Sequence, residues 1–374
     1  MKIARIAAYV LRVPFNFPLI KETQHALGTF VEIETDGGLK GHAFSSYPMR
    51  FGIADFINRE VRETIAGMDP LRPEAVRSAL YWKLSNKLFA GAWSCAASLV
   101  DIALWDIRGK ALDQPIWKLL GGARDKCPVY ITFGLPRYSR EELVEVAKML
   151  IRDGHTQLKM AVAAGANPAS EMYGQPSDDD ILEDAARIRH LREAVGDGVT
   201  LMIDANKNAK LTQALRLAKL AEPCNLAWFE DPLLQSDPRL LAQLRRQTTI
   251  PIAAGSTGTS DISFLREYLV HESVDILQPN VRDIGGYTAG LRAAGLAQAF
   301  NIQLEMGGNF PHLNMHLHAG VPNGGRVEFH YGGWQLGMIL FDGAPPPVKG
   351  WVTLPEAPGL GFTPKAGILD LAVK

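Results

Sequence analysis

Cysteine is scarce in this 374-residue chain. Cys95, Cys127 and Cys224 stand far apart, with no CxxC pair and no nearby histidine cluster. That pattern argues against a disulfide framework and a structural zinc, and for a reducing compartment. No apolar run reaches the roughly 20 residues that a membrane span needs. The first fifteen residues, MKIARIAAYVLRVPF, alternate like a strand and lack the apolar core of a secretory leader. Charge of one sign is also lacking: Lys+Arg number 39 against Asp+Glu 40, with no basic run. Neither nucleic acid nor a membrane surface is an expected partner. A cytoplasmic protein acting on small molecules is the class left standing.

What is present divides into two textures. Ile3–Val13, Thr29–Thr35 and Leu39–Phe44 read as a β-meander turned at Asp36-Gly37-Gly38. Helical periodicity follows, with Pro73-Glu74 opening one helix and Ala92–Ala111 forming a long apolar one. From Cys127 onward strands and helices alternate in seven βα units. Such a run is the pattern of a closed parallel barrel. The expected fold is α/β: a modified TIM (β/α) barrel over 126–329, with an N-terminal α+β capping domain over 1–125. The Pro- and Gly-rich stretch 330–374 is expected to complete the capping domain.

Chemistry in such barrels sits at the C-terminal ends of the strands. Read there, the chain offers Lys159, Asp204 and Asn206, Glu230-Asp231, Ser256, Asn280, Glu305 and Glu328. Two carboxylates on adjacent strand ends make a hard-oxygen site suited to Mg²⁺. The plainer alternative is that each acid pairs with a barrel lysine. Trp93, Trp105 and Trp228 read as core, and GGYT (285–288) as a weak phosphate cradle at a helix start.

The segments SLVDIALWDIRGKALDQPIWKLLGG (98–122), DANKN (204–208), WFEDPL (228–233), PIAAG (251–255) and VDILQPNVRDIGGYT (274–288) carry a family likeness. With VEF (327–329) and PGLGF (358–362), they resemble the mandelate racemase/muconate lactonizing enzyme branch of the enolase superfamily. The resemblance implies removal of a proton α to a carboxylate, with the resulting enediolate held by Mg²⁺. It implies Asp204 and Glu230 as metal ligands and Lys159 on the substrate carboxylate. Asn206 would lie beside the metal, and Glu328 would hydrogen-bond the same carboxylate. Loops around Lys21–Gly28 and Ser45–Phe51 would close over the substrate, bringing His25 and Tyr47. Dimers or octamers are the homo-oligomers it favours.

Four positions depart from that pattern. The third metal ligand, a glutamate in the family, is Ser256; the second lysine of Lys-x-Lys is Ala161. The aspartate that orients a catalytic histidine is Asn280, and that histidine falls close to Gly308. Both family bases are therefore replaced, which leaves Lys159, Lys207 and Glu328 as the expected catalytic groups, with Glu305 and His312 as further candidates. Lys207, together with Lys159, is also able to neutralise Asp204 and Glu230 in place of a metal. The expected function is a lyase (dehydratase) or isomerase acting on a carboxylate-bearing small molecule. Metal-independent chemistry on the same scaffold, or a catalytically inactive ligand-binding relative, are the alternatives.

Overall fold

The computed structural model describes residues 1–84, 90–164, 176–255 and 261–373. Strands β1 (Ile3–Phe15), β2 (Gln24–Thr35) and β3 (Lys40–Ser45) form an antiparallel meander. Gly38 takes φ 81° at its turn, where Leu39 N donates to Thr35 Oγ1 at 3.0 Å. The helices Pro73–Leu84 and Gly91–Ala111 follow. β2 begins earlier than its composition suggests, because β1 continues to pair with it through Pro14↔His25 and Phe15↔Gln24. Gln24–Gly28, expected in a lid loop, is therefore strand.

Among the described residues eight parallel strands build the second sheet: β4 (Lys126–Gly134), β5 (Gln157–Ala161), β6 (Thr200–Asp204), β7 (Leu226–Glu230), β8 (Ile252–Ala254), β9 (Ile276–Leu277), β10 (Gln303–Leu304) and β11 (Val327–His330). Their order is β10-β9-β8-β7-β6-β5-β4-β11, so each strand after β4 lies beside its predecessor until β11 returns to β4. Met306 N donates to Arg326 O at 3.0 Å, which joins the β10 and β11 ends and closes the cylinder. This is the expected capped, modified barrel, with an eighth strand that periodicity alone does not count.

Helix boundaries follow local chemistry. Ser139 with Glu142, and Ser177 with Asp180, form reciprocal caps at the helices Arg140–Arg152 and Asp178–Val195. Inside the cylinder, alternation stacks the inward side chains in layers. Tyr130, Met202, Trp228, Ala253 and Ile276 make an apolar plug. Below it, Arg326 pairs with Glu305 at 2.6 Å and lies over the Trp228 ring. Glu305 thus points away from the mouth.

The capping domain is pinned to the barrel at GGYT. Asp101 Oδ2 accepts from Thr288 N at 3.0 Å and Oδ1 from Thr288 Oγ1 at 2.6 Å, while Gly285 N donates to Ser98 Oγ at 2.8 Å. The anion at that helix start is the protein's own carboxylate, not a phosphate. At the C-terminal end Val373 N donates to Val10 O at 2.8 Å, and Trp351–Thr353 pairs with the start of β4.

The helix Pro311–Gly320 buries three histidines, His312, His316 and His318. Burial pushes their pKa values down to about 4, 3 and 3. In the unfolded chain each takes a proton near pH 6.5. Below that pH the unfolded state binds protons that the native state refuses, so stability falls as pH drops. The expected slope is about 1.4 kcal/mol per pH unit for each histidine, or about 4 for the three. Urea midpoints from pH 6.5 to 5 measure it, and His316→Leu should reduce the slope by about one such increment. Asp101 and Asp184, whose carboxyls burial raises to about 6, bind native-state protons over the same window and offset part of the slope. The difference between native protein and His316→Leu is therefore the measure, and no difference contradicts the assignment.

Candidate functional site

Three strands of the cylinder each carry an acid towards the mouth. Asp204 ends β6 and Glu230 ends β7, aligned as register partners, while Glu328 sits within β11 as the register partner of Tyr130. Lys159, central in β5, is fully buried among them. Its Nζ lies 3.2 Å from Asp204 Oδ2, 2.6 Å from Glu230 Oε2 and 3.0 Å from Glu328 Oε1. These contacts are ion pairs whose angles fall short of aligned hydrogen bonds. From beneath, the Tyr130 ring faces the ammonium at 5.2 Å.

Burial alone would discharge Lys159, but Asp204, Glu230 and Glu328 together outweigh it and raise its pKa above the ordinary value. Burial raises Glu230 well above the ordinary carboxyl range; Lys159 opposes this, and the neighbouring acids reinforce it. The two directions agree once charge is counted, since one ammonium faces three carboxyls. The buried layer favours keeping a proton on one of them. Glu230 Oε2 also accepts from Trp228 Nε1 at 3.1 Å and Gln278 Nε2 at 2.9 Å. Glu328 Oε1 accepts from Thr132 Oγ1, whereas Glu328 Oε2 is buried with no partner.

The other expected residues are distributed unevenly. Asn206 is exposed, and its backbone N donates to Asp204 Oδ1 at 2.8 Å. Asn206 and Lys207 both take left-handed backbone, φ 47° and 63°, which lets Lys207 N reach Asp231 O at 2.7 Å. The Lys207 ammonium faces Asp231 at 4.0 Å, and among the described residues Lys159 is the cation in ion-pair contact with Asp204 and Glu230.

Asn280 is fully buried; it donates to Gly307 O and accepts from Arg282 and Asn314, so its side chain ties loops together. Tyr47 leans toward Cys95, Asp283 and Arg282, and burial with those two acidic groups pushes its pKa up to about 12. His25 is exposed on β2, and among the described residues no hydrogen bond or ion pair joins its side chain to the mouth. Ser256 lies outside the described residues. His312 packs between Phe310 and Phe329, away from the acids.

Two residues that sequence reading passed over stand at the rim. His330 follows Glu328 by two, so alternation along β11 aims both inward. Its Nδ1 is buried without a partner. Burial lowers its pKa, and Lys159 and Arg282 act in the same direction against the pull of Glu328 and Asp204. Arg282 is 4% exposed, and its Nε donates to Asn280 Oδ1 at 3.3 Å. Its guanidinium has no carboxylate within ion-pair distance among the described residues. A hollow of about 570 Å³ lined by Val274 and Ile302 opens at the opposite end of the cylinder, where strands begin.

As arranged, these side chains do not fit a magnesium ion. Among the described residues no group of three or more His, Cys, Asp or Glu side chains is disposed to hold a metal. The point on which the three acids converge is filled by the ammonium.

A family model described as mandelate racemase/muconate lactonizing enzyme, N-terminal domain, matches residues 5–121, and one described as enolase C-terminal domain-like matches 142–368. The chain is 30% identical over 370 residues to a 3,6-anhydro-alpha-L-galactonate cycloisomerase of Streptomyces coelicolor, covering 96% of each. It is 27% identical to an arabinonate dehydratase of Saccharolobus solfataricus, over 91% of this chain and 88% of that one. A racemase from Streptomyces coelicolor, crystallised with magnesium, superposes with a TM-score of 0.87 at 27% identity, over 99% of this chain and 100% of that one. No described helix here is long and apolar enough to cross a membrane.

Replacing Lys159 by methionine would leave three buried acids without a counter-charge. Lys159→Met is expected to lose on the order of 3–5 kcal/mol at pH 7. The unpaired acids then bind protons in the native state before the unfolded chain does, so stability should rise as pH falls from 7 to 5.5. Urea denaturation at both pH values reads this, and a loss unchanged by pH contradicts the cage.

Proposed function

The chain belongs to the mandelate racemase/muconate lactonizing enzyme family of the enolase superfamily, and from that premise we propose a dehydratase or isomerase acting on a polyhydroxylated carboxylic acid. One observation carries the substrate class. Among the described residues several buried polar atoms lack hydrogen-bond partners, including Oε1 of Gln278, the partner of Glu230. Two of them, Glu328 Oε2 and His330 Nδ1, share β11 at the mouth. Each such orphan costs about 1–3 kcal/mol. A ligand rich in hydroxyls relieves both. The cycloisomerase and dehydratase relatives act on sugar acids by their names, which supports the same class.

The groups divide by charge. Arg282, held through Nε by Asn280, offers its outer nitrogens to the substrate carboxylate. Lys207, on the loop after β6, adds a second cation to the mouth. Glu328 Oε2 accepts a substrate hydroxyl. Neutral His330 takes the α-proton through Nδ1, the role that the missing family bases leave open. The Lys159 cage below holds Glu328 in place on β11.

Incubating the protein with a panel of aldonic and aldaric acids in deuterated water tests the reading. Incorporation of deuterium α to a carboxylate, or release of a 2-keto acid, is the expected result. His330→Asn should lower the rate by about 10²- to 10⁴-fold. Because burial holds the imidazole below its ordinary pKa, the acid limb of the rate profile should lie below pH 6.5. Full activity in His330→Asn would remove the proton from this residue. Silence across the panel would favour a ligand-binding relative.

A further inference from the structure

We propose that Lys159 is the resident cation of this site: its ammonium takes the place a divalent metal would need, and the native protein binds none there. The inference stands on four side chains and does not rest on the substrate class proposed above.

Three oxygens, Asp204 Oδ2, Glu230 Oε2 and Glu328 Oε1, converge on one point, and that point is the Lys159 nitrogen, at 3.2, 2.6 and 3.0 Å. The same oxygens are engaged from other sides. Glu230 Oε2 takes donors from Trp228 and Gln278, and Glu328 Oε1 takes Thr132. Mg²⁺ demands near-octahedral oxygens at about 2.0–2.1 Å and keeps waters where the protein supplies few ligands. To bind here it would have to displace protein donors from a layer in which, of the four charged side chains, only Asp204 keeps more than a trace of exposure.

The lysine has nowhere to retreat. It is fully buried, and its backbone is fixed at Thr132↔Lys159 and Lys159↔Met202 between two parallel neighbours. A metal that claimed its carboxylates would strand an ammonium in the interior, at a cost of several kcal/mol. Tyr130 closes the site from below with a ring face, a surface suited to an organic cation. Position 256, where a third acidic ligand is expected, carries a serine.

The test compares metal content and melting midpoint in the native protein, Lys159→Ala and Lys159→Met. Native protein purified in magnesium buffer and then desalted should hold far less than one magnesium per chain. Its midpoint should be unmoved by a chelator and by added Mg²⁺ or Mn²⁺. Lys159→Ala empties the convergence point, and millimolar Mn²⁺ or Mg²⁺ should then raise its midpoint saturably by several degrees. Lys159→Met fills the space and should gain no such response. If Lys159→Ala does not fold unaided, refolding from urea with Mn²⁺ and not without it counts as the same gain. Near-stoichiometric magnesium in the native protein, or a saturable Mg²⁺-dependent rise in its midpoint, would falsify the inference. So would a Lys159→Ala variant indifferent to both ions. Turnover is not among the readouts, so a wrong substrate class leaves this result interpretable.

Discussion

Lys159 rises from β5 into a layer where Asp204, Glu230 and Glu328 are already committed by their own strands, and it meets all three within 3.2 Å. Four strands contribute one ionisable group each to a layer that only Asp204 connects to solvent. Separately, each of those charges would be prohibitive to bury. Together they lock the register of β5, β6, β7 and β11, because a one-residue slip of any strand would turn its charged group outward. The cage is also the floor of the mouth, so the position of every rim group is referred to it.

The cylinder separates its charged residues by height. Glu305 and Arg326 pair at the strand-start end, beneath Trp228. The Lys159 cage lies above the apolar plug of Tyr130, Met202 and Trp228. A carboxylate at the end of a barrel strand therefore belongs to the mouth only if the pleat aims it upward. Glu305 follows the end of β10 but is drawn to Arg326 beneath the plug, whereas Glu328 is held above it by Thr132 and Lys159.

Much of this was legible in the residues. Asp178–Val195, Thr200–Asp204, Leu211–Ala221 and Leu226–Glu230 lie where capping signals and apolar runs put them. The convergence of Asp204 and Glu230 followed from strand-end placement, whereas Lys159 reaches them from the middle of β5. His330 was missed although VEFH announces it, since a residue two beyond an inward glutamate on a strand also points inward. Arg282 gave no periodic signal: it follows a two-residue strand, and its direction comes from a hydrogen bond to Asn280. The start of β2 was hidden for a different reason. Gln24–Gly28 has weak strand propensity and is held extended by β1 opposite it.

The neutral replacements and the rim residues fit one electrostatic scheme. Three acids against one ammonium leave the floor of the mouth negative, and a substrate carboxylate set directly over it would be repelled. Attraction comes from Arg282, after β9, and from Lys207, after β6 three strands further round the cylinder. The end of β11, two strands from β9, offers Glu328 Oε2 and His330 Nδ1, which suit hydroxyls and a C–H bond. An acid with hydroxyls along its chain can set its carboxylate at Arg282 and present its hydroxyls to β11. A cation at Ala161 would add a second anchor for that carboxylate away from Arg282. With Asn280 in place of an acid, Arg282 is anchored without being neutralised, and its positive charge stays available to the ligand.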